Sequence, residues 1–125
     1  MSTGHVSYPR LTREISARIA GLRESQPAAM HGFRRLSAGA MDAGSLTAKH
    51  KELMALALGI AARCEGCIGF HAKALVAMGA TRGEIEETVA VAVYMGGGPA
   101  LMYGASAIDA YEQFLAEAST HAHPA

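Results

Sequence analysis

The chain has no tryptophan, few other aromatic residues and only two cysteines, so neither a disulfide-dense scaffold nor an aromatic-rich binding surface is available to it. An excess of charge of one sign is lacking too. Eleven basic residues are matched by eleven acidic ones, which leaves no electrostatic footprint for nucleic acid or an anionic membrane. No apolar run approaches the roughly 20 residues needed to span a bilayer. The first 30 residues carry Arg10, Arg13, Glu14, Arg18, Arg23 and Glu24 with no apolar block between them, so a signal peptide is not expected. These absences point to the cytoplasm and away from membranes and nucleic acids as partners. Alternating runs of β-branched residues are missing as well, which argues against strands.

What is present is apolar spacing of the helical kind along nearly the whole length, so the expected fold class is all-α, a bundle of about six helices. Residues 1–125 carry no linker and no repeat of fixed period, and form a single domain. Leu11, Ile15, Ile19 and Leu22 make one stripe, and Pro27 opens a second helix bearing Met30, Phe33 and Leu36. Gly39 and Gly44 break that pattern. Thr47 caps a third helix reaching about Ala62, and a fourth runs from about Cys64 to Gly79. "TRGE" at Thr81–Glu84 is a capping box for a fifth helix ending near Met95. After the "GGG" turn, Pro99 starts a last helix through Tyr103, Ile108, Tyr111 and Phe114, and the tail from Ser119 is expected to fray. Met54, Met78, Met95 and Met102 fall on apolar stripes as core fillers, Tyr103 joins them with its polar tip, and His50 faces solvent.

The stretch "LMALALGIAA", Leu53–Ala62, has no polar side chain on any face. A helix apolar all round must be buried all round. In a chain that buries only about two-thirds of its unfolded surface, this calls for a central helix whose outer side a neighbouring subunit covers.

Both cysteines lie in "RCEGCIGFH", with His71 four residues past Cys67. Spacings of three and four set Cys64, Cys67 and His71 on one helix face. A cysteine in the first turn meets the positive end of the macrodipole and free backbone N–H groups, which favour thiolate, the reactive form. An imidazole one turn on can take the thiol proton. Gly66 and Gly69 are expected to leave the turn open to a small oxidant, while the charge of Glu65 opposes the thiolate. Glu52 opens the apolar helix with Ala55, Leu56 and Gly59 on its own face, surroundings that raise a carboxyl pKa. A relay from Glu52 through His71 to Cys67 follows if the two helices bring them together. Counted from a turn at Cys64 at 1.5 Å per residue, Glu52 lies about 18 Å away and His71 about 10 Å, so the relay needs that gap closed.

Glu52, eleven residues, Cys64, two residues, Cys67, three residues and His71 resembles the active-site spacing of the alkylhydroperoxidase AhpD family, within the wider carboxymuconolactone decarboxylase-like group. "GATRGEIEETVAVAVYMGGGPALMYG" is similar to that family's next two helices, so the resemblance covers Thr47–Phe114, the core at about residues 47–114. It implies a small helical homo-oligomer, a trimer or hexamer, that reduces hydroperoxides without a cofactor or metal. It also implies Cys67 as peroxidatic thiol, Cys64 as resolving thiol, Glu52 with His71 as proton relay, and an external dithiol, lipoyl-bearing or thioredoxin-like, as reductant. Gly66 departs from the pattern: members close to the characterised peroxidases often carry a histidine there.

Other readings compete. Zinc would accept Cys64, Cys67, His71 and Glu52, yet no second Cys/His pair closes a structural site. Haem attachment requires a histidine where Ile68 stands. "GGGP" lacks the Lys-Ser/Thr of a phosphate loop and reads as a turn between helices. A lactone-acid decarboxylase would need cations to hold carboxylates, and Arg63 is the only arginine near the motif. A disulfide reductase or redox sensor would use the same pair without peroxide. A non-enzymatic oligomer whose cysteines bind metal or only respond to redox state completes the set.

Overall fold

Most helices of the chain start at a cap visible in the sequence. In the computed structural model, which describes residues 5–122, Ser7 Oγ accepts from Arg10 N at 3.3 Å and opens α1, Tyr8–Ser25. Pro27 occupies the first turn of α2, Pro27–Met41. Thr47 caps α3, Ala48–Ala61, and Cys64 caps α4, Glu65–Ala77. The capping box is complete at α5, Arg82–Gly96, where Thr81 and Glu84 bond reciprocally. Gly97, at φ 73°, turns the chain directly into α6, Gly98–Ala122, so "GGGP" is a turn between helices. The described residues contain these six helices and no strand.

The core forms where α4 packs between α3 and α6, with α5 against α3 and α6 and α1 laid across α4. Leu56 and Ile60 of α3, Ile68 and Leu75 of α4, and Ile85 of α5 are fully buried. Each such side chain contributes about 1.5–3 kcal/mol. Tyr111 joins its hydroxyl to the Ala80 carbonyl at 3.0 Å, tying α6 to the α4–α5 turn. Among the described residues no helix is long and apolar enough to cross a membrane.

Several expectations change. Gly39 does not end the second helix, which continues through it to Met41 with open space around the glycine. The last helix continues through Ser119 to Ala122 instead of fraying there, and His123 lies outside the described residues. The four methionines are not core fillers: Met54, Met78, Met95 and Met102 are 44–76% exposed. α3 is central, as expected, and its outer side is not enclosed by its own chain, because Met54 and Leu58 point outward. The Phe33 and Leu36 stripe of α2 is likewise exposed, and α2 buries no residue at all. Helical periodicity reports which faces are apolar, and cannot report whether the rest of the chain covers them.

Candidate functional site

α3 and α4 form an antiparallel hairpin whose turn delivers the cysteines. α3 ends in paired bonds, Arg63 N to the Ile60 carbonyl at 3.1 Å and Cys64 N to the Gly59 carbonyl at 3.0 Å. This is a Schellman arrangement, whose C′ residue adopts the left-handed conformation, and Arg63 does so at φ 58°. Cys64 is then the N-cap of α4, and its Sγ accepts from Cys67 N at 3.1 Å. The two cysteines are joined as a disulfide with Cα atoms 5.2 Å apart. That spacing lies within the usual range for such a bond.

His71 and Glu52 meet across the hairpin, His71 Nδ1 to Glu52 Oε1 at 2.7 Å. The gap left by counting from Cys64 closes because α3 stops at Ala61 and α4 starts at Glu65. Nine residues from Glu52 to Ala61 and six from Glu65 to His71 differ by three, about 4.5 Å of rise, within the span of the two side chains. Gly59 helps, since a Cβ there would stand 3.0 Å from Cys67 Cβ. The two helices therefore touch at the level of Cys67. Glu52 is not flanked by apolar groups alone, because the imidazole is its partner. Its side chain is 13% exposed and that of His71 is 30% exposed, so the pair is shielded without being sealed. An ionised Glu52 fixes the hydrogen on Nδ1, which leaves Nε2 as the basic nitrogen.

The opposite side of α4 corrects a second expectation. Gly66 and Gly69 do not open the turn to solvent. A Cβ at Gly66 would meet Ile15 Cδ1 at 2.9 Å, and one at Gly69 would meet Thr12 Cγ2 at 2.9 Å and Tyr8 Cδ1 at 3.3 Å. The glycines let α1 lie close across α4. Sequence reasoning missed Tyr8 altogether. Its hydroxyl donates to the Glu65 carboxylate at 3.1 and 3.3 Å, so the acid between the cysteines is held away from them by a buried phenol. Burial pushes the Tyr8 phenol up to about 12; the nearby Ser106 hydroxyl opposes this and the Glu65 charge adds to it. Glu65, Met102, Tyr103 and Ser106 line an open recess of about 280 Å³ on this side, with Tyr103 at its wall. The signal for Tyr8 in the sequence was its place at the start of a capped helix, but nothing there connects it with Glu65.

Among the described residues, no cluster of three His, Cys, Asp or Glu side chains is placed to hold a metal ion. His50 is exposed, as expected, with Nδ1 2.9 Å from Thr47 Oγ1. The arrangement offers a two-electron cysteine couple with a polarised imidazole one helical turn away.

Solved structures share this architecture. A carboxymuconolactone decarboxylase family protein from Legionella pneumophila, in its apo form, superposes with a TM-score of 0.85 at 47% identity, covering 86% of this chain and 96% of that one. A family member from Thermotoga maritima, for which involvement in an antioxidative response has been suggested, superposes with a TM-score of 0.78 at 26% identity over 90% of this chain and 96% of its own. An uncharacterised protein of Cupriavidus necator is 40% identical over 99 residues, 79% of this chain and 87% of the relative. The family model for carboxymuconolactone decarboxylases matches residues 27–110, so the likeness reaches back through α2, beyond the part legible from the motif alone. With its six helices and this match over most of its length, the chain belongs to the carboxymuconolactone decarboxylase family.

Proposed function

We propose that the protein is a thiol-dependent hydroperoxide reductase of the AhpD-like type. The observation that carries this reading is the Glu52–His71 pair at 2.7 Å, on the same α4 face as a joined Cys64–Cys67 couple. The Cys67 thiolate attacks the O–O bond and becomes a sulfenic acid while alcohol leaves. Cys64 condenses with it, expelling water and forming the disulfide, and an external dithiol restores both thiols. His71, oriented by Glu52, takes the Cys67 proton and returns it to the leaving alkoxide. Gly66 leaves the relay to a single imidazole. The antioxidative role suggested for the Thermotoga relative is consistent with this chemistry.

The working form is a homo-oligomer, a trimer or hexamer. Met54, Leu58, Val91, Tyr94 and Met95 are each more than half exposed on α3 and α5, and a further copy covers them. The family's own name suggests the alternative of a decarboxylase, but the carboxylate-rich turn with Arg63 as its one neighbouring arginine is a poor receptor for a lactone acid.

The test is the intact mass and thiol count of reduced protein before and after one equivalent of a small organic hydroperoxide, with Cys67→Ser alongside. Rapid loss of two hydrogens and both thiols in the wild type, and no fast oxidation of the variant, is expected. Thiols that survive the peroxide overturn the reading and bring decarboxylation forward.

A further inference from the structure

Two helix ends in this chain use the same cap with different residues. α4 closes with Gly79 N bonded to the Val76 carbonyl at 3.0 Å and Ala80 N to the Leu75 carbonyl at 2.9 Å, around Gly79 at φ 78°. α3 closes with the corresponding two bonds around Arg63, the one non-glycine residue with positive φ among those described. A left-handed arginine is disfavoured where glycine is free, and such outliers collect at functional sites. The neighbouring charges give this one a context. Glu52 on α3 is taken by His71, and Glu65 on α4 is taken by Tyr8. The Arg63 side chain is exposed and has no hydrogen-bond or salt-bridge partner among the described residues. It is the unpaired charge of the redox turn, and it directly precedes Cys64, whose Sγ already accepts an N–H bond.

We propose that Arg63 is a positioning residue for reduction of the disulfide, stabilising Cys64 as the thiolate that leaves when an external dithiol attacks Cys67. The inference rests on the pair being redox-active, as proposed above. A thiolate of the dithiol forms a bond to Cys67 Sγ, the Cys64–Cys67 bond breaks, and its electron pair goes to Cys64 Sγ. The second thiol of the reductant, deprotonated to solvent, then attacks the reductant sulfur bound to Cys67. Cys67 leaves as thiolate and takes a proton from the His71 imidazolium or water, and the reductant departs as its own disulfide. Two electrons pass from dithiol to protein. The better-stabilised thiolate leaves faster, which assigns departure to Cys64, whose sulfur accepts a helix N–H and whose residue directly follows Arg63.

The experiment measures the equilibrium of the protein disulfide with neutral dithiothreitol, by alkylation and mass, in wild type, Arg63→Gly and Arg63→Lys. In a Cys67→Ser background, the pH dependence of Cys64 alkylation is measured for the same three residues at position 63. Arg63→Gly is expected to shift the equilibrium about threefold toward the disulfide and to raise the Cys64 thiol pKa, the size of effect an exposed charge at a helix end produces. Arg63→Lys keeps the wild-type values, and 1 M salt shrinks the difference. A glycine variant that melts higher but leaves both readings unchanged overturns the proposal, as does a lysine variant that shifts as far as glycine. A pair that never cycles with the dithiol refutes the redox reading itself, an outcome separate from these.

Discussion

α3 and α4 are adjacent, similar in length and rich in apolar residues, yet they are buried differently. On α4 the one long side chain left exposed is Lys73, and Ile68, Ala72 and Leu75 are covered by α1, α3 and α6 of the same chain. On α3 the inner side chains Leu56 and Ile60 are sealed while Met54 and Leu58 stand 51% and 68% exposed. The same hydropathy pattern thus has two causes. In α4 it belongs to the centre of the bundle, and in α3 half of it lies on an exposed apolar face. The candidate site sits on the seam between the two helices, where Glu52 reaches from the half-covered helix to His71 on the enclosed one.

The comparison breaks most visibly at Leu75. This side chain is fully buried in α4, and Leu75→Ala is expected to cost about 2–5 kcal/mol, read as a lower denaturation midpoint with unchanged slope. A cost below about 1 kcal/mol would mean that α4 is not the enclosed helix described here. Gly69→Ala probes the other side of α4. The new methyl would press on Thr12 and Tyr8, costing about 1–3 kcal/mol in overpacking, while roughly 1 kcal/mol returns through helix propensity. A net loss is expected, and it should exceed that of Gly66→Ala, where only the flexible end of Ile15 must move.

Tyr8 sharpens the comparison through pH. Its phenol is raised in the folded state to about 12 from an unfolded value of 10.0, so the folded chain holds that proton more tightly. The associated stability is fully present below pH 10 and is lost as pH rises from 10 through 12. Wild type should therefore lose melting temperature across that window more steeply than Tyr8→Phe. The variant starts lower by about 0.5–1.5 kcal/mol for the lost bond to Glu65. Parallel slopes would remove Tyr8 as the titrating group.

Local signals in the sequence were enough to place the helices: Thr47, the Thr81–Glu84 box and Gly79 each act within a few residues of themselves. The shared face of Cys64, Cys67 and His71 was legible for the same reason. Glu52 was placed on the right helix, but its distance to His71 depended on where α3 stops, and element ends are the least legible feature of a sequence. Tyr8 and Glu65 are 57 positions apart, so no local pattern joins them. The left-handed cap at Arg63 was not legible because such a cap is read from glycine, and the residue there is not one. Gly66 and Gly69 were read as openings, although glycine also marks close approach, and only the position of α1 decides between the two.

The smallest effect on the single chain is expected at Leu58, and it separates the two helices most cleanly. A side chain already 68% exposed can become Leu58→Glu with a change in chain stability of about 0.5 kcal/mol or less. If a second copy covers this face, the same change buries an unpaired carboxylate at the interface and the assembly comes apart. Sedimentation or light scattering would then show a fall in mass while the isolated chain stays helical by circular dichroism. Lys73→Glu, an exposed change on α4, should leave the mass alone. An unchanged mass for Leu58→Glu would mean that the outer face of α3 stays in water. The apolar pattern of α3 would then need another explanation, and the contrast with α4 would be one of exposure alone.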